Sequence, residues 1–181
     1  LFDGKKSFYK ENDSINPLNI YAKTKHDGEK NILKVNSNAL IIRTNFFGWG
    51  PSYKNSFSDF ILNNLENNNS ISLFTDVFYS PIIVSELSNT INKLLEKKFS
   101  GIFNVVSNER ISKYDFGIML ANEFNMDKSL IKKSKFSERE DLVLRPRDMS
   151  LSTNKLESKG IKIKFLKEQI KELKSQVLTS K

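Results

Sequence analysis

The stretch YAKTKHDGEKNILKVNSNALIIR, residues 21–43, places a helix-forming pattern directly before the pattern of a buried strand. Tyr21 and Lys25 fall on one face of a helix that begins after Pro17. Residues 38–50 open with a continuous apolar run, which is typical of a strand buried in a parallel sheet. This succession predicts an α/β fold.

The alternation of helix and strand patterns continues downstream. Helical patterns lie at residues 56–69, 85–98, 112–124 and 164–178, and strand-like runs lie at 70–84 and 101–106. Ser56 or Ser58 would cap the first of these helices, and Ser85 or Ser88 would cap the second. Pro146 makes the segment around it irregular. We expect the last helix to dock on the core.

The length and composition of the chain indicate a folded protein of modest size. Its 181 residues allow one sizeable core, or a core with a small appended lobe. No run of about 18 apolar residues is present, so we expect no membrane span. The absence of cysteine fits a cytoplasmic setting. The opening LFDGKK carries neither an initiator methionine nor a signal-peptide pattern, and we expect the chain to be part of a longer protein.

The positive charge is concentrated at the C-terminus. The net charge is +8, and residues 152–181 contain eight Lys and three Glu, a surplus of +5. The other residues therefore carry only +3, without an arginine-rich stripe or interleaved aromatic residues. We expect no nucleic-acid binding.

The pair Tyr21 and Lys25 is the first candidate for chemistry. Side chains four residues apart on a helix are neighbours, and a nearby ammonium stabilises the phenolate form of a tyrosine. A tyrosine held in this way can donate a proton to a carbonyl oxygen while hydride reaches the carbon. By itself the spacing also fits an ordinary solvated helix face.

Several ordered motifs extend this pattern. The N-terminal motif residues are Phe2, Asp3, Gly4, Glu11, Asp13, Pro17, Asn19, Tyr21, Lys25, Gly28 and Glu29. The later motifs are IIRTNFFGWG (41–50), FTDVFYSPIIVSELSNTI (74–91), GIFNVVSNERISKYDFGIML (101–120) and RPRDMSLSTNKL (145–156). In these motifs the chain is similar to the dTDP-4-dehydrorhamnose reductase family and its sugar-nucleotide-binding relatives, within the extended short-chain dehydrogenase/reductase superfamily.

The resemblance implies a fold with two parts. Residues 1–50 and 81–126 would form the C-terminal part of a Rossmann-type doubly wound parallel sheet that binds NAD(P). Residues 51–80 and 127–165 would form a small α/β substrate-binding lobe, and residues 166–181 a basic C-terminal helix. The family's glycine-rich turn and its catalytic Ser or Thr are absent from this chain, so we expect the chain alone to be inactive.

The resemblance also implies the roles of individual side chains. Tyr21 would be the catalytic acid/base, and Lys25 would tune it and hold the nicotinamide ribose. Asn45 would bind the cofactor near the nicotinamide.

Three further residues would contact the substrate. Phe46 would lie near the sugar, in the place of the family's tryptophan. Arg145 and Arg147 would face the anionic diphosphate, although both also fit solvated loop charges.

The implied activity is the reduction of a 4-keto nucleotide sugar by NADP or NAD, with NADPH favoured. Some members of the family use Mg²⁺ at a dimer contact, but no ligand cluster in this sequence calls for a metal. The nucleotide sugar is the expected partner, and a homodimer is compatible with the family.

Two alternatives stay open at this stage. The first is an NAD-dependent epimerase or dehydratase that acts on a similar sugar. The second is a non-catalytic relative, a regulatory subunit that keeps the fold and binds NADP as a ligand.

Overall fold

The computed structural model describes residues 1–51, 53–139 and 141–178, in which helices and strands alternate. The helices are α1 (Ile20–Val35), α2 (Phe57–Glu66), α3 (Val84–Glu96), α4 (Lys113–Glu123), α5 (Asn154–Ser158) and α6 (Leu166–Leu178). The strands are β1 (Leu40–Arg43), β2 (Phe46–Phe47), β3 (Ile71–Phe74), β4 (Phe78–Tyr79), β5 (Ile82–Ile83), β6 (Gly101–Asn104), β7 (Ile111–Ser112), β8 (Ile131–Ser134) and β9 (Asp148–Met149).

Most strand pairs are parallel and join segments that are distant in sequence. β1 pairs with β6, β2 with β5, and β3 with β8, each in parallel. β4 lies between β9, which is parallel to it, and β7, which is antiparallel. Parallel neighbours need crossover connections, and helices supply them here. The predicted α/β class is confirmed.

Helix starts agree with the sequence patterns where a side chain caps them. α2 begins at a capping box, in which Ser56 Oγ accepts from the Asp59 amide and Asp59 Oδ2 accepts from the Ser56 amide. Ser56 is therefore the cap, and Ser58 is buried inside the helix. Ser112 caps α4 in the same manner, through the Asp115 amide.

The start of α3 corrects a prediction. Neither Ser85 nor Ser88 caps this helix, because its N-cap position is Ile83, which has no side-chain cap. Ser85 lies one residue inside the helix, and its hydroxyl donates to Glu172 of α6. The Ser85 hydroxyl, which the sequence pattern assigned to capping, is instead bonded to a residue of a distant helix.

Buried side chains form two main clusters. The larger one packs α2, α4 and α6 against β3 and β8, with Phe116 and Leu120 fully buried. The second packs α3 and α5 against β1 and β6, around Phe103 and Leu94. A third, small cluster joins the N-terminal segment to Leu151.

These clusters bear on the expected division into two parts, which stays a prediction. α4 lies within the larger cluster, together with β3 and β8. Leu156 and Ile161 lie in the second cluster, together with β1 and β6. Packing thus groups α4 with segments from the expected lobe, and the residues around 156–161 with the expected Rossmann part.

The C-terminal helix α6 is docked on the core, as its apolar stripe predicts. Gln169 is fully buried, and its Oε1 accepts from the Ile83 amide at 2.7 Å. Trp49 Nε1 donates to the Leu173 carbonyl at 3.1 Å. Residues 179–181 of the predicted tail lie outside the described residues.

Within the described ranges, no helix combines the length and the apolar character that a bilayer span requires. The cytoplasmic location and the homodimer stay predictions.

Candidate active site

The first two turns of α1 carry the candidate catalytic pair. Asn19 caps this helix, and its Oδ1 accepts from the Ala22 amide at 2.9 Å. Ala22 is buried, whereas Tyr21 and Lys25 on either side of it along the chain are exposed. Lys25 Nζ lies 5.5 Å from the centroid of the Tyr21 ring. The tyrosine is 71% exposed, so a second molecule can reach its hydroxyl.

An ion pair fixes α1 against the sheet. Arg43, at the end of β1, is 5% exposed and binds the Glu29 carboxylate through two of its nitrogens. A third nitrogen, Nη1, donates to the Glu11 carbonyl at 3.1 Å. Glu29 lies one helical turn after Lys25, so this contact sets the position of the whole candidate pair relative to the strand.

The loop between β1 and β2 places the next two candidates. Asn45 is half-buried, and its Nδ2 donates to the Met149 carbonyl at 2.9 Å. Its Oδ1 receives no hydrogen bond from the described protein atoms, which leaves it available to a donor. Phe46 is 64% exposed. The preceding residue, Thr44, has a buried hydroxyl without a partner in the described part of the chain.

These residues line one open groove of about 1020 Å³, called here the α1 groove. Its lining comes from the N-terminal segment, the start of α1, the end of β1 with the following loop, and residues between 143 and 151. Of the predicted site residues, the groove brings together Tyr21, Lys25, Asn45, Phe46 and Arg145.

Arg147 takes a different position from Arg145. It is not among the residues that line the α1 groove, and its carbonyl accepts from the Phe78 amide at 2.7 Å. Gly4, with φ +72°, lies against this segment so closely that a Cβ there would be 2.8 Å from the Arg147 nitrogen. Gly4 of the sequence motif therefore packs directly against the backbone of Pro146 and Arg147.

Two further residues of the quoted motifs have structural contacts. Asp76 accepts from the Phe136 and Ser137 amides at 2.7 and 3.0 Å, so it joins the end of β3 to the segment after β8. Trp49 packs edge-on against Phe124. In the described ranges, no group of three or more His, Cys, Asp or Glu side chains is arranged to hold a metal ion.

One basic side chain with unusual electrostatics was not anticipated from the sequence. Lys113, the first residue of α4, holds its Nζ 3.4 Å from the centroid of the Tyr79 ring and 4.4 Å from that of Phe57. Burial lowers the pKa of this ammonium to about 8. Burial also raises the pKa of the Tyr79 hydroxyl. No local pattern could have indicated this contact, because the two rings come from other elements.

Two further groove residues were missed as site candidates. Asn19 and Glu29 belong to the quoted motif, but neither was assigned a role from the sequence. The signal was their place in the motif, one residue before the helix and one turn after Lys25.

A family model and several known proteins are similar to this chain over most of its length. The model of the family described as the RmlD substrate binding domain matches residues 1–179. A probable low-salt glycan biosynthesis reductase from Haloferax volcanii is 30% identical over 162 residues, which is 87% of this chain and 54% of that protein. Methionine adenosyltransferase 2 subunit beta from Bos taurus is 29% identical over 168 residues, covering 89% of this chain and 50% of that protein.

A solved structure shows the same fold. The crystal structure of dTDP-4-dehydrorhamnose reductase from Bacillus anthracis, in complex with NADP, superposes with a TM-score of 0.86 at 24% identity. The match covers 97% of this chain and 62% of that one. The chain thus spans about half the length of the curated relatives that it matches.

Proposed function

Since the chain belongs to the RmlD substrate-binding domain family, we propose that it is the catalytic-helix and substrate-binding part of a reductase of 4-keto nucleotide sugars. The observation that carries this proposal is the α1 groove, to which three separate segments contribute Tyr21 with Lys25, Asn45 and Arg145. The similarity to a reductase from Haloferax volcanii supports the same class of reaction.

Tyr21 is the proposed general acid. Its hydroxyl would donate a proton to the substrate's C4 oxygen as the carbonyl carbon is reduced. The ammonium of Lys25 lies beside the ring and favours the phenolate that is left behind. Arg145, which also lines the groove, would bind the diphosphate through its planar guanidinium.

The residues present suit a nicotinamide cofactor. Lys25 is a cation without a carboxylate partner among the described residues, and its ammonium suits the ribose hydroxyls. Asn45 Oδ1 is an acceptor without a donor in the described part of the chain, beside the groove that Tyr21 lines. A bound nicotinamide would supply hydride to the substrate carbon. We propose NADPH as the preferred form.

A second candidate function is supported by one group of relatives. Methionine adenosyltransferase 2 subunit beta matches nearly nine-tenths of the chain at 29% identity. A non-catalytic regulatory subunit would keep the fold and bind NADP without turning over a sugar. We favour the reductase, because a purely binding role places less demand on the pair of Tyr21 and Lys25.

An activity assay separates the two candidates. The chain would be studied together with the glycine-rich N-terminal segment that the family resemblance implies, and NADPH oxidation would be followed with a dTDP-4-keto-6-deoxy sugar. We expect turnover in this longer protein, and a loss of roughly 100-fold or more in kcat for Tyr21→Phe. The matched control is Tyr53→Phe, which makes the same change at an exposed tyrosine that does not line the α1 groove.

Two results would decide against the reductase. One is NADPH binding without any sugar turnover. The other is turnover that Tyr21→Phe leaves at the level of Tyr53→Phe. In the first case, retention of a methionine adenosyltransferase catalytic subunit on the immobilised protein would favour the regulatory alternative.

A further inference from the structure

The side chain of Asn19 makes two hydrogen bonds that join distant parts of the α1 groove. Its Oδ1 accepts from the Ala22 amide at 2.9 Å and so caps α1. Its Nδ2 donates to the Leu144 carbonyl at 3.1 Å, across 125 positions of the chain. A cap needs only the oxygen, so the second bond is an addition that Ser, Thr or Asp at this position could not reproduce in the same form.

The segment bound by Asn19 has few other attachments. Residues 142–144 are exposed although all three are apolar, with Val143 at 69% and Leu144 at 62%. The base of the segment is held where Pro146 packs against the backbone of Gly4. Between the base and Leu144 stands Arg145, which lines the groove.

We propose that Asn19 is a positioning residue that latches the 142–146 loop to the first turn of the catalytic helix. The latch holds the loop that carries Arg145 at a fixed distance from the helix that carries Tyr21. The role of the latch in binding a nucleotide sugar rests on the proposed function. The existence of the latch is independent of that function.

Two substitutions separate the latch from the cap. Asn19→Asp keeps a strong capping oxygen but replaces the donor by a carboxylate oxygen, which cannot donate to the Leu144 carbonyl. Asn19→Ser keeps a capping oxygen without adding charge, on a side chain that is too short to make both bonds. Asn31→Asp, an exposed position on the same helix, is the control for the added charge.

The measurement is 15N relaxation of the backbone amides of the 181-residue chain, read separately for residues 142–145 and for the first turns of α1. The latch binds the loop through the Leu144 carbonyl, so backbone order reports its loss directly. We expect the order parameters of the loop to fall from about 0.85 to below about 0.6 in Asn19→Asp and Asn19→Ser, while those of α1 stay close to the parent values. Asn31→Asp should change neither region.

The proposal is overturned if the loop order parameters in both Asn19 variants equal those of the parent chain. It is also overturned if α1 and the loop lose order equally, because Asn19 would then act through the helix alone. A parallel measurement with dTDP tests the proposed function separately. If dTDP shifts no amide signal of the residues that line the groove in the parent chain, the nucleotide-sugar proposal fails, while the ligand-free comparison still decides on the latch.

Discussion

Arg43 Nε lies 2.9 Å from Glu29 Oε1, and Arg43 Nη2 lies 2.7 Å from Glu29 Oε2, so strand β1 and helix α1 are joined by a two-point ion pair. Both side chains are largely buried, at 4% and 13% exposure. A guanidinium matches a carboxylate best in this arrangement, which also restricts the angle between the two groups. Glu29 lies in the third turn of α1, so this ion pair fixes the orientation of the helix that carries Tyr21 relative to β1.

Removing one charge of this pair should destabilise the fold. In Glu29→Gln the guanidinium of Arg43 stays buried without a counter-charge, and we expect a loss of about 3 kcal/mol in the free energy of unfolding. Urea denaturation would measure the loss. Asp27→Asn, an exposed change on the same helix, should stay within about 0.5 kcal/mol of the parent. Equal values for the two variants would show that the ion pair does not hold the helix.

The two serines at the start of α2 should respond in opposite ways. Ser56→Ala removes the capping oxygen and should cost about 1 kcal/mol. Ser58→Ala removes a buried hydroxyl that has no partner in the described chain, so we expect no loss or a slight gain. Thermal unfolding of both variants tests this contrast, and a larger loss for Ser58→Ala would contradict the assignment of the cap.

Gly4 should tolerate no side chain. Its φ is +72°, and a Cβ there would meet the Pro146 Cβ at 2.7 Å, so Gly4→Ala combines backbone strain with a steric clash. We expect a loss of about 2 kcal/mol or more in unfolding free energy, together with faster proteolysis of the 142–146 loop. Gly28→Ala is the matched control. A Cβ at that position would meet no neighbouring atom within 4 Å, so the substitution should stabilise α1 by about 0.5–1 kcal/mol.

Because of Lys113, the free energy of unfolding should rise with pH in the alkaline range. Its pKa in the folded chain is about 8, whereas the pKa of an unfolded lysine is about 10.4. Below pH 8 the folded protein carries the full cost of a desolvated charge, about 3 kcal/mol at about 1.36 kcal/mol per pH unit. Between pH 8 and about 10.4 the unfolded state holds more protons, so this cost falls as pH rises.

The variant Lys113→Met isolates that cost. The rings of Tyr79 and Phe57 contact this ammonium, and their attraction is already contained in its folded pKa, so the gain for methionine at pH 7 should reach about 3 kcal/mol. The gain should shrink as pH rises from 8 to 10 in a urea titration. A gain that is constant over this range would contradict the pKa, and exposed Lys23→Met serves as the control.

Local features of the site were predictable from sequence because they depend on residues within one or two turns of each other. The helical spacing places Tyr21 beside Lys25 whatever the rest of the chain does. The caps Ser56 and Ser112 could be assigned from short patterns in the same way, since the amides they bind lie three residues away. For Ser85 this reasoning failed, because a carboxylate of a later helix competes for the same hydroxyl.

The α/β class, most helix starts and the adjacency of Tyr21 and Lys25 thus follow from the order of residues alone. The meeting of distant segments at the α1 groove follows from the packed fold. Asn19 reaches Leu144, and Lys113 reaches two aromatic rings, because crossover connections bring those elements together. Contacts of this kind depend on the packing of whole elements, which the spacing of residues along a single segment does not encode.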